Sequence, residues 1–157
     1  MTNKEIKIAY LEYESLDQLD SQDRKLAESA IAAIATSYAP YSQFNVGAAV
    51  MFEDGEIIKG SNQENAAYPS GTCAERTALF YAGAAYPEKA ITKIAIAAGQ
   101  KGTLVSEPVT PCGACRQVMA QYQTKGGKPM EVILIGSAKI WKFTKVNDLL
   151  PLIFDSI

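Results

Sequence analysis

The chain has 157 residues, of which 48% are apolar and 20% are charged, and this composition is typical of one water-soluble globular domain. The formal charge is −2, with 15 basic and 17 acidic residues, and the absence of a dense basic run disfavours a nucleic-acid partner. No segment has the uninterrupted apolar length of a membrane span, and the polar start at 1–5 lacks the pattern of a secretory signal, so we expect a cytoplasmic protein.

The apolar pattern predicts alternating helices and strands in a single domain spanning 1–157, in which 1–18 form an N-terminal arm or an extra strand. Longer helices are predicted from 20 or 21 to about 38, from 73 to about 85, and from 111 or 112 to 122, where Gly126 and Gly127 follow. A short helix is predicted at 147–150. Strands are predicted at 46–52, 56–59, 91–98, 130–135 and 140–146.

This order of elements predicts the fold class. A hairpin, single strands and intervening helices are typical of an α/β protein in which helices cover both faces of a sheet. We therefore expect a three-layer α/β/α sandwich around one mixed sheet of about five strands.

The three cysteines fall into two short blocks that together suggest a metal site. Cys73 is followed two residues later by Glu75, and Cys112 and Cys115 form a Cys-x-x-Cys pair. Three thiolates make an incomplete tetrahedral shell for zinc and leave a fourth position for water, whose protons a nearby carboxylate can move. Because the chain has no histidine and no fourth cysteine, the pattern favours a catalytic zinc site over a structural one.

Both blocks are expected to open helices. Thr72 is a good N-cap residue, which would make Cys73 the first helical residue, and Thr110-Pro111 would do the same for the second block. The positive end of a helix dipole lowers the pKa of nearby thiols. Arg76 lies on the same helix face as Cys73, and we expect its guanidinium to hydrogen-bond to a thiolate and offset the negative charge.

Each of these features also has an ordinary structural interpretation. A single cysteine is most often a small buried apolar residue, and Thr72 with Glu75 matches a capping box. A lone Cys-x-x-Cys is equally typical of a redox pair or half of a structural zinc site. Only the joint pattern, which uses every cysteine at two helix starts, favours zinc catalysis.

These blocks resemble the zinc-dependent cytidine and deoxycytidylate deaminases, whose signature is a metal ligand and a Glu followed by Pro-Cys-x-x-Cys. The segments 39–47, 62–69, 72–76 and 111–117 are similar to the short, homotetrameric cytidine deaminases in particular. The resemblance covers nearly everything after about Leu19.

The resemblance implies one zinc per chain, bound by Cys73, Cys112 and Cys115. It also implies that Glu75 shuttles protons while activated water attacks C4 of cytosine, which yields uridine and ammonia.

Six further residues match substrate-binding positions of the family. Asn62 and Glu64 correspond to the ribose-binding pair, Phe44 to the aromatic of the base pocket, and Ala74 to a residue whose backbone contacts the base. Tyr68 and Phe154 correspond to residues that a neighbouring subunit contributes near subunit junctions. Without the family, Asn62 and Glu64 read as loop polar residues, and Phe44 and Phe154 as core residues.

The leading hypothesis is deamination of cytidine and 2′-deoxycytidine in pyrimidine salvage. A deaminase of another cytosine-containing nucleoside or antibiotic is the alternative within the same enzyme class. A nucleic-acid-editing module is disfavoured by the acidic charge balance, and a structural zinc protein by the missing fourth ligand.

Overall fold

The structure, a computed structural model, describes residues 1–155, so the last two residues of the predicted domain lie outside the described residues. Its helices are α1 (Ser21–Ala33), α2 (Ala74–Ala85) and α3 (Gly113–Gly126). Its strands are β1 (Leu11–Tyr13), β2 (Phe44–Phe52), β3 (Ile57–Ser61), β4 (Ile91–Gln100), β5 (Thr103–Leu104), β6 (Glu131–Ile135) and β7 (Ile140–Phe143). Within residues 1–155, no helix has the length and apolar character needed to cross a membrane.

The strands form one mixed sheet in the order β1-β7-β6-β4-β2-β3, with β5 paired to β4. Strand β4 pairs with β6 in parallel, whereas β2 pairs with both β3 and β4 in antiparallel fashion. The predicted α/β/α sandwich is confirmed. The sheet has seven strands instead of about five, because β1 joins the edge at β7 and the short β5 returns after Gly102.

The sheet is buried on both faces, which explains the nearly continuous apolar runs of its central strands. Along β2, Ala48, Val50 and Phe52 pack beneath α2 and α3, whereas Ala49 and Met51 pack beneath α1. Since successive side chains of a strand point to opposite faces, one strand supplies both cores.

Helix α2 approaches the sheet closely where it carries the site. A Cβ added to Gly60 of β3 would lie 2.5 Å from the Ala78 backbone nitrogen and 2.9 Å from the Ala74 carbonyl oxygen. Only glycine leaves room for this contact. Gly60 therefore fixes the position of the first turn of α2, directly after Cys73.

Several predicted element ends are wrong. Helix α1 ends at Ala33 and continues only as a 3-10 turn, Ile34–Thr36. It does not reach 38, because the Tyr38 amide donates to the Asn62 carbonyl at 3.0 Å and holds the chain extended there. The final element is also a 3-10 turn, Val146–Asp148, instead of a helix at 147–150.

The N-terminal arm and helix α3 also differ in extent from their predictions. In the arm 1–18, only Leu11–Tyr13 forms a strand. Helix α3 extends to Gly126, beyond the predicted end at 122, and Gly127 ends it in the left-handed conformation with φ of 65°. Of the two glycines predicted to stop this helix, Gly127 does so, whereas Gly126 is its last helical residue.

Candidate metal centre and active site

Helices α2 and α3 each begin at a cysteine in the N-cap position. Cys73 and Cys112 have extended backbones, with φ and ψ of −74° and 156° and of −65° and 164°. Their carbonyls accept the first helical bonds, from the amides of Thr77 and Arg116, both at 3.0 Å. Neither side chain makes a capping hydrogen bond, so both sulfurs belong to N-cap residues at a positive helix end and stay available for a metal.

The predicted helix starts are thus one residue early. Thr72 exchanges two backbone hydrogen bonds with Gln63, both at 2.9 Å, so its backbone belongs to a β-bridge instead of a helix cap. The capping box of Thr72 with Glu75 is wrong for the same reason. The error leaves the direction of the dipole argument unchanged and brings Cys73 nearer to the helix end.

The structure brings the three sulfurs together, all within 4.8 Å of one another. Cys73 is half-buried, Cys112 is exposed and Cys115 is buried. Thiolates that share one zinc at about 2.3 Å each have to lie this close. The donor set consists of sulfur alone, which suits zinc, and three protein ligands leave one coordination position open.

The guanidinium of Arg76 lies against this cluster, with Nη2 donating to the Cys73 sulfur at 3.7 Å. A hydrogen bond from Cys115, supported by Arg76, lowers the pKa of Cys73 to about 5. The same bond between the two sulfurs, together with burial, raises the pKa of Cys115. Cys73 is therefore a thiolate at neutral pH, which is the form that binds a metal ion.

Glu75 lies in the first turn of α2 and is only 5% exposed. Burial raises the pKa of its carboxyl, and the charge of the Cys73 thiolate raises it further, against the opposing effect of the residue's own amide. A carboxyl with a raised pKa holds and releases a proton more easily near neutral pH.

A cleft of about 390 Å³ opens above these residues. Its wall contains nine of the eleven residues singled out from the sequence: Phe44, Asn62, Glu64, Tyr68, Cys73, Ala74, Glu75, Arg76 and Cys112. Cys115 lies buried beneath the cleft, and Phe154 is not part of its wall. The volume falls within the usual range of small-molecule sites.

Asn62 and Glu64 are both anchored through their side chains. Asn62 Oδ1 accepts from the Val46 amide at 2.8 Å, and its Nδ2 donates to the Phe44 carbonyl at 2.9 Å. Glu64 Oε2 accepts from the amides of Tyr41 and Ser42, at 2.9 Å and 3.2 Å. The Ser42 hydroxyl, followed by these amides, lowers the pKa of Glu64, which keeps it ionised.

The aromatic candidates differ in placement. Phe44 is a half-buried residue at the start of β2 and faces the cleft instead of the core. Tyr68, expected from a neighbouring subunit, is 78% exposed, lines the cleft of its own chain and packs edge-on against Tyr41. Phe154 is 68% exposed, and its carbonyl accepts from Gln117 Nε2 at 2.7 Å.

The role of Tyr41 and Ser42 in holding Glu64 was not predicted, although segment 39–47 resembles the family. Tyr41 and Ser42 bind Glu64, yet they precede it by more than twenty residues and belong to a loop without periodicity. The signal that was available is the turn composition of 39–43, which contains Pro40 and Ser42.

Comparison with known proteins places the chain in a family. The family described as "Cytidine and deoxycytidylate deaminase zinc-binding region" matches residues 20–127. A cytidine deaminase of Halalkalibacterium halodurans is 50% identical over 98 residues, which is 61% of this chain and 68% of that protein. Another, from Sporosarcina psychrophila, is 42% identical over 107 residues, which is 68% of this chain and 69% of that protein.

Solved structures agree with this placement. The crystal structure of cytidine deaminase from Burkholderia pseudomallei is 43% identical in sequence and superposes with a TM-score of 0.70, covering 83% of this chain and 97% of that one. The matched region contains α1, α2 and α3, and with them both cysteine blocks. The chain belongs to the cytidine and deoxycytidylate deaminase family of zinc-binding enzymes.

Proposed function

We propose that this protein hydrolyses the 4-amino group of cytidine and 2′-deoxycytidine, which yields uridine or 2′-deoxyuridine and ammonia. The observation that carries the proposal is the buried carboxyl of Glu75 in a nucleoside-sized cleft, two residues from a thiolate of the three-sulfur cluster. Together these groups supply a metal site, a proton carrier and a binding cavity.

Cys73, Cys112 and Cys115 would hold the zinc ion. The chemistry that zinc supplies when bound there is Lewis-acid activation of water. Arg76 offsets part of the negative charge of the three thiolates through its bond to Cys73. Because the thiolates weaken a metal's Lewis acidity, this offset favours the reaction.

Glu75 would carry both protons of the attacking water. It accepts the first proton and delivers it to N3 of the base as the water oxygen bonds to C4. It then passes the second proton to the amino group on C4, and the C4–N bond breaks to release ammonia. One buried carboxyl with a raised pKa is suited to accepting and giving a proton in turn.

Asn62 and Glu64 would hold the sugar. The amide of Asn62 retains one free N–H, and the ionised Glu64 retains Oε1 as an acceptor, so the pair can both donate to and accept from sugar hydroxyls. Phe44 would flank the base, and the backbone of Ala74 would bind its polar edge.

We also propose a homotetramer with active sites near subunit junctions. Support comes from large exposed aromatics, since Phe80 and Tyr81 on α2 are 49% and 59% exposed, and Tyr68 and Phe154 more so. Phe154 would then complete the cleft of a neighbour. Light scattering should give four times the chain mass of 16.9 kDa, and a monomer would contradict the assembly.

A cytoplasmic role in pyrimidine salvage accords with this chemistry. A reducing compartment keeps three thiols available for metal, and the cleft volume suits a molecule of nucleoside size.

The test compares wild type with Glu75→Ala in an ultraviolet assay of cytidine, with zinc measured in both proteins. We expect one zinc per chain in each protein and a rate lower by about 10²- to 10⁴-fold in the variant, the usual contribution of general acid–base catalysis. A variant that keeps the full rate would remove Glu75 from the mechanism. A metal-free but active wild type would overturn the proposal entirely.

A further inference from the structure

Almost all the hydrogen-bonding capacity of the Asn62 side chain is satisfied within the protein. Its Oδ1 accepts two hydrogen bonds, from the Val46 amide at 2.8 Å and from the Ser37 hydroxyl at 2.5 Å. Its Nδ2 donates to the Phe44 carbonyl at 2.9 Å. An amide side chain has two acceptor sites and two N–H donors, so a single N–H remains for a ligand.

Ser37 is itself held from two directions. Its hydroxyl accepts from Asn45 Nδ2 at 3.1 Å while it donates to Asn62. Its own amide donates to the Ile34 carbonyl at 3.1 Å, at the end of the 3-10 turn that follows α1. The hydroxyl hydrogen is therefore directed at Asn62, because the Asn45 amide occupies the acceptor side.

Ser37 and Asn45 do not reach the substrate cleft. Both line a different cavity of about 480 Å³, formed with Ile34 and Leu104, whereas Asn62, to which Ser37 donates, lines the cleft. Any effect of Ser37 on a nucleoside must therefore pass through Asn62.

The terminal torsion of an asparagine is broad, so its amide plane is set by its hydrogen-bond partners. The Val46 amide and the Phe44 carbonyl both belong to the backbone of β2. Together they determine which side of the Asn62 amide carries the oxygen. The Ser37 hydroxyl fills the second acceptor site of Oδ1 and limits rotation of the amide plane. Without it, the free N–H would sample several directions in the cleft.

We propose that Ser37, oriented by Asn45, is a positioning residue that fixes the amide of Asn62 so that its free N–H points at a sugar hydroxyl of the nucleoside. This inference rests on the proposed function, since it takes Asn62 to bind the sugar. It adds a residue pair outside the cleft that governs how tightly the sugar is held.

The test measures steady-state kinetics of Ser37→Ala with cytidine and with 2′,3′-dideoxycytidine, which lacks both ring hydroxyls. We expect KM for cytidine to rise by about three- to tenfold, the effect of one lost hydrogen bond, with kcat within about twofold of wild type. The KM for the dideoxynucleoside should not change. Ser37→Thr, which retains the hydroxyl on an extended backbone, should restore the wild-type KM.

Two controls separate positioning from folding. Ser29→Ala removes a hydroxyl that bonds only to the Lys25 carbonyl of α1 and should leave KM unchanged. In an Asn62→Ala background, Ser37→Ala should have no further effect, because the residue it orients is already gone. An equal rise of KM for both nucleosides, or no rise for cytidine, would overturn the positioning role.

A wild type that deaminates no cytosine nucleoside would instead overturn the proposed function. In that case, nuclear magnetic resonance of the Asn62 side-chain NH₂ still tests whether Ser37 restrains the amide. We expect the order parameter of that group to fall in Ser37→Ala and to recover in Ser37→Thr. An unchanged order parameter would show that Ser37 does not restrain the amide.

Discussion

Two clusters of buried charge lie on opposite faces of the sheet, and they are built differently. Beneath α1, the Asp23 side chain is 2% exposed and binds two lysines, Lys93 at 2.6 Å and Lys142. Glu131 completes the group, at 2.9 Å from Lys93 and 3.3 Å from Lys142. Two acids and two lysines make a neutral, closed network.

The cluster at the tips of α2 and α3 is not closed. Among residues 1–155, three thiols and the buried Glu75 face a single guanidinium, that of Arg76. Full ionisation leaves three negative charges without protein partners, and buried charges without partners are costly. The first cluster therefore stabilises the fold, whereas the second is arranged to take up a cation and to move protons.

The largest expected effect comes from removing one sulfur. Cys115→Ser should lose most of the bound zinc and reduce the rate by more than about 100-fold, since even outer-shell partners of a metal are worth 10- to 100-fold. The zinc content per chain and the rate of cytidine turnover measure these two losses. Ala114→Ser, an exposed change on the same turn, should keep both zinc and activity. Full zinc occupancy in Cys115→Ser would mean that the cluster does not hold the metal.

Opening the closed network should instead affect stability alone. Asp23→Asn leaves Lys93 and Lys142 without their shared carboxylate and should lower the free energy of unfolding by about 3–5 kcal/mol, the usual cost of breaking a buried pair. Zinc content and kcat of the folded protein should not change. Asp17→Asn, which removes an exposed partner of Arg24, should cost less than about 1 kcal/mol. Denaturant titrations measure both losses of unfolding free energy. Equal losses in Asp23→Asn and Asp17→Asn would mean that the buried network stabilises the fold no more than an exposed ion pair does.

Replacing Arg76 tests how much zinc binding at the open cluster depends on this guanidinium. Arg76→Gln should weaken zinc binding by about 10- to 100-fold, because the thiolate loses the donor that supports it. Competition with a chelator measures the affinity. Arg24→Gln, at an exposed guanidinium, is the control and should bind zinc as wild type does. Unchanged affinity in Arg76→Gln would show that the guanidinium does not compensate the thiolates.

The smallest effect concerns alkaline pH. Burial lowers the pKa of Lys93 and Lys142, but bonds to Asp23 and Glu131 outweigh it, so both pKa values are raised above that of an ordinary lysine. Their contribution to stability is therefore complete below the ordinary lysine pKa of about 10.4 and is lost as pH rises through the folded pKa. Unfolding free energy should fall more steeply above that pH in wild type than in Asp23→Asn. Parallel curves would contradict the network's role.

The sequence predicted the parts that depend on local order. The convergence of Cys73, Cys112 and Cys115 was predicted from their spacing and from helix starts placed one residue early, and the α/β/α layers from apolar periodicity. The N-cap residue of α2 was not predicted correctly from the sequence, because Thr72 forms a β-bridge with Gln63 that no local pattern encodes.

Contacts between distant residues were also beyond prediction. Ser37 meets Asn62 across 25 positions, and Asp23 meets Lys142 across 119. These contacts depend on how the loop after α1 packs on β3 and on which strands become neighbours in the sheet. Strand β5 was missed because two residues after a turn carry too little periodicity.

The three sulfurs should bind one zinc and leave one coordination position open. X-ray absorption at the zinc edge of the purified protein tests it most directly. We predict three sulfur neighbours at about 2.3 Å and one lighter atom. Four sulfur neighbours, or a shell dominated by nitrogen and oxygen, would contradict a three-sulfur zinc site with one open position.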